Sequence, residues 1–169
     1  MKAISLISTL AFCLAITPLP GAQSQSDDVT IDFLEPDKYT DFKTSPMGGK
    51  KDQDALAREF RAEIMQVVNR YLPPGYRLLL RFRDIDMAGE FEPQLGPNYD
   101  SVRIVKAIYI PSIVVEFEIR NEAGDVVSRG QRRVTDHAFQ DTVTFRRDRT
   151  LFYETELVAD LLREITRSL

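Results

Sequence analysis

The chain has one cysteine, Cys13, and one histidine, His137. Cys13 lies inside an apolar run that opens the sequence: Lys2 supplies a positive start, Ala3 to Ile16 is almost wholly apolar, and Pro18 and Pro20 break the run. Small residues at Ala22 and Ser24 follow, which together describe a secretory signal peptide over residues 1–24, cut after Ser24 with Ala22 as the alternative. The run is shorter than the roughly 20 residues a membrane anchor needs, so no stable membrane insertion is expected once the signal is removed. Cys13 is a poor lipid-attachment site, because Phe12 precedes it and Leu14-Ala15-Ile16 carries the apolar run past it. Cleavage then leaves a mature chain without cysteine, excluding disulfides and thiolate chemistry.

Positive charge is also in short supply. The full chain carries 22 basic against 26 acidic residues, and the signal takes one lysine and no acid. The mature chain is thus more acidic still, which argues against nucleic-acid partners, whose phosphates are met by an excess of lysine and arginine. No G-x-S-x-G elbow and no glycine-rich phosphate cradle occur.

The remaining residues describe one α+β domain over 25–169. Pro73 to Glu90, PPGYRLLLRFRDIDMAGE, is its central stretch: Tyr76, Leu78, Leu80 and Phe82 alternate with Arg77, Leu79, Arg81 and Arg83, the period of a half-buried strand. Met87-Ala88-Gly89 then turns the chain. Before it, Val29, Ile31 and Phe33 alternate with Thr30 and Asp32 in a short strand. Residues 34–51 read as an irregular loop anchored by Tyr39 and Phe42. An amphipathic helix starts near Asp52 or Asp54, buries Leu56, Phe60, Ile64, Val67, Val68 and Tyr71, and stops before Pro73.

After a loop over 91–100, residues 102–110 are apolar but end at Pro111, so they read as an edge strand or an approach segment. Ser112 to Arg120 is a clear strand with Ile113, Val115, Phe117 and Ile119 on one side. Asn121 to Asp125 reads as a hairpin turn with Gly124 at positive φ, and Val126 to Val134 as the returning strand. A loop over 135–149 leads to a last helix starting near Asp148 or Thr150. Its apolar stripe is Tyr153, Leu157, Val158, Leu161, Leu162 and Ile165, with Glu154, Glu156, Asp160, Arg163 and Glu164 expected outside. The expected fold is a mainly antiparallel four- to five-stranded sheet with both helices on one face. Arg81 and Arg83 are expected to pair with Glu116 and Glu118 across neighbouring strands.

Three groups of residues offer chemistry. Asp84 and Asp86, two apart on a strand, with Glu90 past the turn, could hold calcium or magnesium. The plainer reading is that they satisfy turn amides or pair with arginines. His137 beside Asp136 could serve as a base but lacks a nucleophile and fellow zinc ligands. Arg129, Arg132, Arg133, Arg146, Arg147 and Arg149 could bind an anion, although Asp136, Asp141 and Asp148 balance them as on a solvated face.

The segments VTIDFLEPDKYTDF, LPPGYRL, RDIDMAGE, IPSIVVEFEIRNEAGDVV and LFYETELVADLL occur in this order. Together they resemble the bacterial secreted proteins of domain-of-unknown-function family 3016, over nearly the whole mature chain. The resemblance implies a Gram-negative envelope protein and assigns no reaction, cofactor or site residue. The functional expectation is therefore a non-enzymatic periplasmic protein that binds an envelope protein or component. The alternatives are a small hydrolytic or metal-dependent enzyme using Asp84, Asp86 and His137, and a carrier of a small apolar ligand.

Overall fold

The computed structural model describes residues 28–96, 100–141 and 149–169. Residues 1–24, expected to form a signal peptide, and Arg146, Arg147 and Asp148 lie outside them. The elements are β1 (Val29–Phe33), α1 (Lys50–Tyr71), β2 (Arg77–Asp86), β3 (Glu90–Phe91), β4 (Arg103–Ile104), β5 (Ser112–Arg120), β6 (Val126–Thr135) and α2 (Phe152–Ile165).

The main sheet has four strands in the order β1-β2-β5-β6. It is mixed, which corrects the mainly antiparallel expectation: β1 runs parallel to β2, while β2–β5 and β5–β6 are antiparallel. The reason is the helix between them, since a long crossover returns the chain to the start of the next strand and so makes the pair parallel. No fifth strand joins this sheet among the described residues. Only Arg103 and Ile104 of the 102–110 segment are extended, and they pair with β3 in a separate two-stranded ribbon.

One face of the sheet is apolar and both helices pack against it. Ile31, Leu78, Leu80, Phe82, Ile113, Val115, Phe117 and Ile119 meet Phe60 and Ile64 of α1 and Leu157, Leu161 and Leu162 of α2 in a common core. Phe60 packs on Phe82 with ring centroids 5.5 Å apart, and Phe33 lies 5.3 Å from Phe82. Full burial of such side chains stabilises by about 1.5–3 kcal/mol each. Helix α1 starts two residues before Asp52, because Asp52 accepts a hydrogen bond from the Gly49 amide at 3.0 Å and caps the first turn from inside it. The β5–β6 hairpin forms as expected, with Gly124 at φ 91° and the Asn121 side chain accepting from the Asp125 amide at 2.9 Å.

The outer face carries charge. Arg83 donates through two nitrogens to Glu116, at 2.8 and 3.0 Å, as expected of neighbouring strands. The other expected pair does not form, because Arg81 turns to Asp32 on β1 and Glu118 to Arg120 on its own strand. Of the arginines between 129 and 149 that the structure describes, Arg132 pairs with Glu164, Arg133 donates to the Ser112 hydroxyl and Arg149 pairs with Glu63.

Candidate functional site

The site lies where β2 ends, and a β-bulge decides what faces it. Phe82 stands opposite Val115 and Asp84 opposite Val114, so Arg83 has no counterpart on β5. Continued alternation would turn Asp84 and Asp86 inward after Leu78, Leu80 and Phe82. The extra residue reverses the phase, so Ile85 is fully buried and the two aspartates are half-buried on the opposite side.

Beside them, the chain that left the sheet at Phe33 returns. Residues 34–40 loop out, and Asp41 then resumes parallel pairing with β2 at Asp86, through Asp41 N to Ile85 O (3.0 Å) and Met87 N to Asp41 O (3.1 Å). Tyr39 and Phe42 anchor this excursion, as their apolar character predicts. Both rings are buried, and the Tyr39 hydroxyl donates to the Phe82 carbonyl at 2.8 Å. Asp84 closes the loop by accepting from the Thr40 amide (2.7 Å) and the Thr40 hydroxyl (2.9 Å). Both oxygens of Asp84 therefore serve the turn.

A wall from β3, β4 and residues 105–110 completes the site. Glu92, though buried, accepts from Lys106 Nζ through both oxygens at 2.6 Å and from the Tyr109 hydroxyl at 2.6 Å. These bonds hold the Glu92 carboxyl below its ordinary range, the Lys106 bond most strongly. Gly89 takes φ 84°, and an added Cβ there would meet the Ile104 carbonyl oxygen at 2.8 Å. The turn at Met87-Ala88-Gly89 can therefore press directly against β4.

Between turn and wall is a cleft of about 320 Å³, lined by Thr40, Asp41, Asp86, Glu90 and Tyr109 among others. Its carboxylates outnumber its cations. Arg103 is the nearest counter-charge, and it is already used: it donates to Asp41 at 2.6 Å, to the Gly89 carbonyl at 2.8 Å and to the Lys43 carbonyl at 2.8 Å, and stacks over Phe91. Asp41 is 5% exposed and its Oδ1 accepts no hydrogen bond; Lys43 Nζ stands 3.7 Å from it. Asp86 takes no hydrogen bond from the described residues. Burial, then the charges of Asp41, Asp84 and Glu90, push its carboxyl up, and Arg103 only partly offsets them.

Residues 27–164 match the family described as Protein of unknown function (DUF3016). The chain belongs to that family. No curated protein is similar to it. Among solved structures, a minor lipoprotein from Acinetobacter baumannii is similar at 12% identity and a TM-score of 0.26, covering 82% of this chain and 88% of its own.

Of the residues expected to carry chemistry, Asp86 and Glu90 meet at the cleft, while Asp84 stands beside it and is bound to Thr40. Glu90 also accepts from the Phe91 amide at 2.8 Å. Among the described residues, no group of three histidine, cysteine or carboxylate side chains is placed to hold a metal ion. His137 is exposed on the loop after β6 and does not line the cleft.

Two residues escaped the sequence reading. Asp41 lay in a segment read as loop, and nothing local marks it as buried. Glu154, expected outside α2, is 1% exposed. Its position did signal this: 154 stands three, four and seven residues before Leu157, Val158 and Leu161, on the apolar stripe itself. Its Oε1 accepts from the Ala88 amide at 2.8 Å, directly behind the cleft turn.

Proposed function

We propose that this DUF3016 protein is an exported, periplasmic binding protein that takes a positively charged organic group of an envelope partner into the cleft at Asp41, Asp86 and Glu90. The observation that carries this reading is Asp86. It is a half-buried carboxylate under the like charge of Asp41, Asp84 and Glu90, its side chain accepts no hydrogen bond from the described residues, and the nearby guanidinium is spent elsewhere. A cation entering there relieves mutual repulsion and gains charge-assisted hydrogen bonds. Ile108, 73% exposed, and the half-buried Tyr109 and Ile110 give the same cleft an apolar side suited to an alkyl or aromatic portion of the ligand.

An organic cation suits the cleft better than a bare metal ion. Calcium or magnesium at Asp84, Asp86 and Glu90 would have to share Asp84 with the Thr40 amide and hydroxyl, each of which already occupies one of its oxygens. A purely apolar cargo would leave the carboxylates desolvated and unpaired, which is costly. Hydrolysis through Asp84, Asp86 and His137 is also disfavoured, because Asp84 serves the turn and His137 stands outside the cleft.

Calorimetric titration with alkylammonium and alkylguanidinium ions, with magnesium and calcium alongside, tests the reading. Binding of the organic cations should weaken about tenfold or more in Asp86→Asn, the loss of one charged hydrogen bond. Absence of binding, or binding indifferent to Asp86→Asn, overturns it. Cell fractionation followed by N-terminal sequencing checks export, with Gln25 the expected first residue.

A further inference from the structure

We propose that Glu154 is a proton-binding group that ties α2 to the floor of the cleft, holding the Met87-Ala88-Gly89 turn when neutral and loosening it when ionised. The carboxyl is enclosed, with one oxygen bonded to the Ala88 amide and the other, Oε2, accepting no hydrogen bond. The charged groups acting on it are Arg103 from β4 and Asp41 from the loop before α1; the turn supplies only the Ala88 amide, and α2 the amide of Glu154 itself. Arg103 is committed to Asp41, Gly89 and Lys43, so it does not form an ion pair with Glu154. Asp41 opposes ionisation outright. Burial therefore prevails over the two amides and pushes the carboxyl up to about 7.

The consequence follows from position. Losing the proton strengthens the Ala88 bond itself but leaves an enclosed anion whose second oxygen has no partner, and this larger cost of burial is relieved only where the enclosure opens to water. The element bonded to this carboxyl is the turn, whose Gly89 amide and carbonyl are themselves bonded to Tyr109 and Arg103 of the cleft wall. Proton binding at Glu154 stands by itself; its effect on ligand uptake rests on the cleft reading above.

Nuclear magnetic resonance of the ¹⁵N- and ¹³C-labelled chain between pH 5 and 9, without added ligand, tests the proposal. The Glu154 side-chain carboxyl carbon should titrate with a midpoint near 7. The Ala88 amide should follow it, and exchange at Ala88 and Gly89 should accelerate above that midpoint relative to Ile119 in β5. In Glu154→Gln the Ala88 response should vanish. A carboxyl midpoint in the ordinary glutamate range, or an Ala88 response that survives Glu154→Gln, overturns the proposal. Because no cation is added, failure here is distinct from failure of the binding experiment. The carboxyl carbon is read in the unmodified chain, so the test holds even if the variant does not fold.

Discussion

Arg103 donates to Asp41 at 2.6 Å across 62 residues of chain, with 15% and 5% of the two side chains exposed. The same guanidinium reaches the carbonyls of Gly89 and Lys43, so one side chain joins the returning loop, the turn and the ribbon. Removing Arg103 leaves Asp41 buried with only Lys43, 3.7 Å away, as counter-charge, and breaking a buried pair typically costs about 3–5 kcal/mol. Arg103→Ala should therefore lower stability by about 3 kcal/mol or more in denaturant unfolding. Arg103→Lys should recover little, since an ammonium cannot span the three acceptors.

Two glycines at similar φ should respond differently to alanine. Gly89 (φ 84°) has the Ile104 carbonyl 2.8 Å from an added Cβ, whereas Gly124 (φ 91°) has open space around it. Gly124→Ala carries only the backbone penalty, about 1 kcal/mol. Gly89→Ala adds a clash with backbone that must move the ribbon, so its loss should exceed that of Gly124→Ala in the same unfolding assay. Equal losses would show that β4 yields freely.

A double-mutant cycle on the outer face separates the ion pair that forms from the one that does not. Arg83 and Glu116 should couple by about 0.2–1 kcal/mol, the range of exposed pairs, with the coupling reduced by salt. Arg81 and Glu118 should show coupling within error of zero, because their partners are Asp32 and Arg120.

Stability should fall as pH rises from about 4.5 to 7. Over that interval the unfolded chain releases the Glu154 proton while the folded chain keeps it, so folding grows less favourable until the folded group also ionises near 7. The full effect is about 3 kcal/mol for this fully enclosed group. Asp86, also pushed up, adds in the same direction, while Glu92, held down, contributes stability that is lost only at more acid pH. Glu154→Gln should flatten the 4.5–7 limb and be more stable than the parent at pH 8, as judged by the thermal midpoint.

Much of the architecture was legible in residue order alone, because alternation and 3.6-residue periodicity are local properties of a chain with one side to bury. Ile31, Leu78, Phe82, Val115 and Phe117 announced their faces, as did Phe60, Ile64, Leu157 and Leu161. Pro73 marked a helix end, and Gly124 marked a hairpin. Even the parallel β1–β2 pair was implicit in the helix between them, although the antiparallel expectation overrode it. The cleft was not legible, since it depends on contacts between distant segments. The bulge at Arg83 is defined only against β5, and the burial of Asp41 only by the Arg103 that reaches it. Glu154 is the intermediate case: its place on the apolar stripe was written in the spacing, while its proton affinity comes from the enclosure that folding builds around it, against the pull of the Ala88 amide and Arg103. Local patterning determines which face a residue turns to the core. Tertiary packing alone determines the dielectric and charge that it meets there.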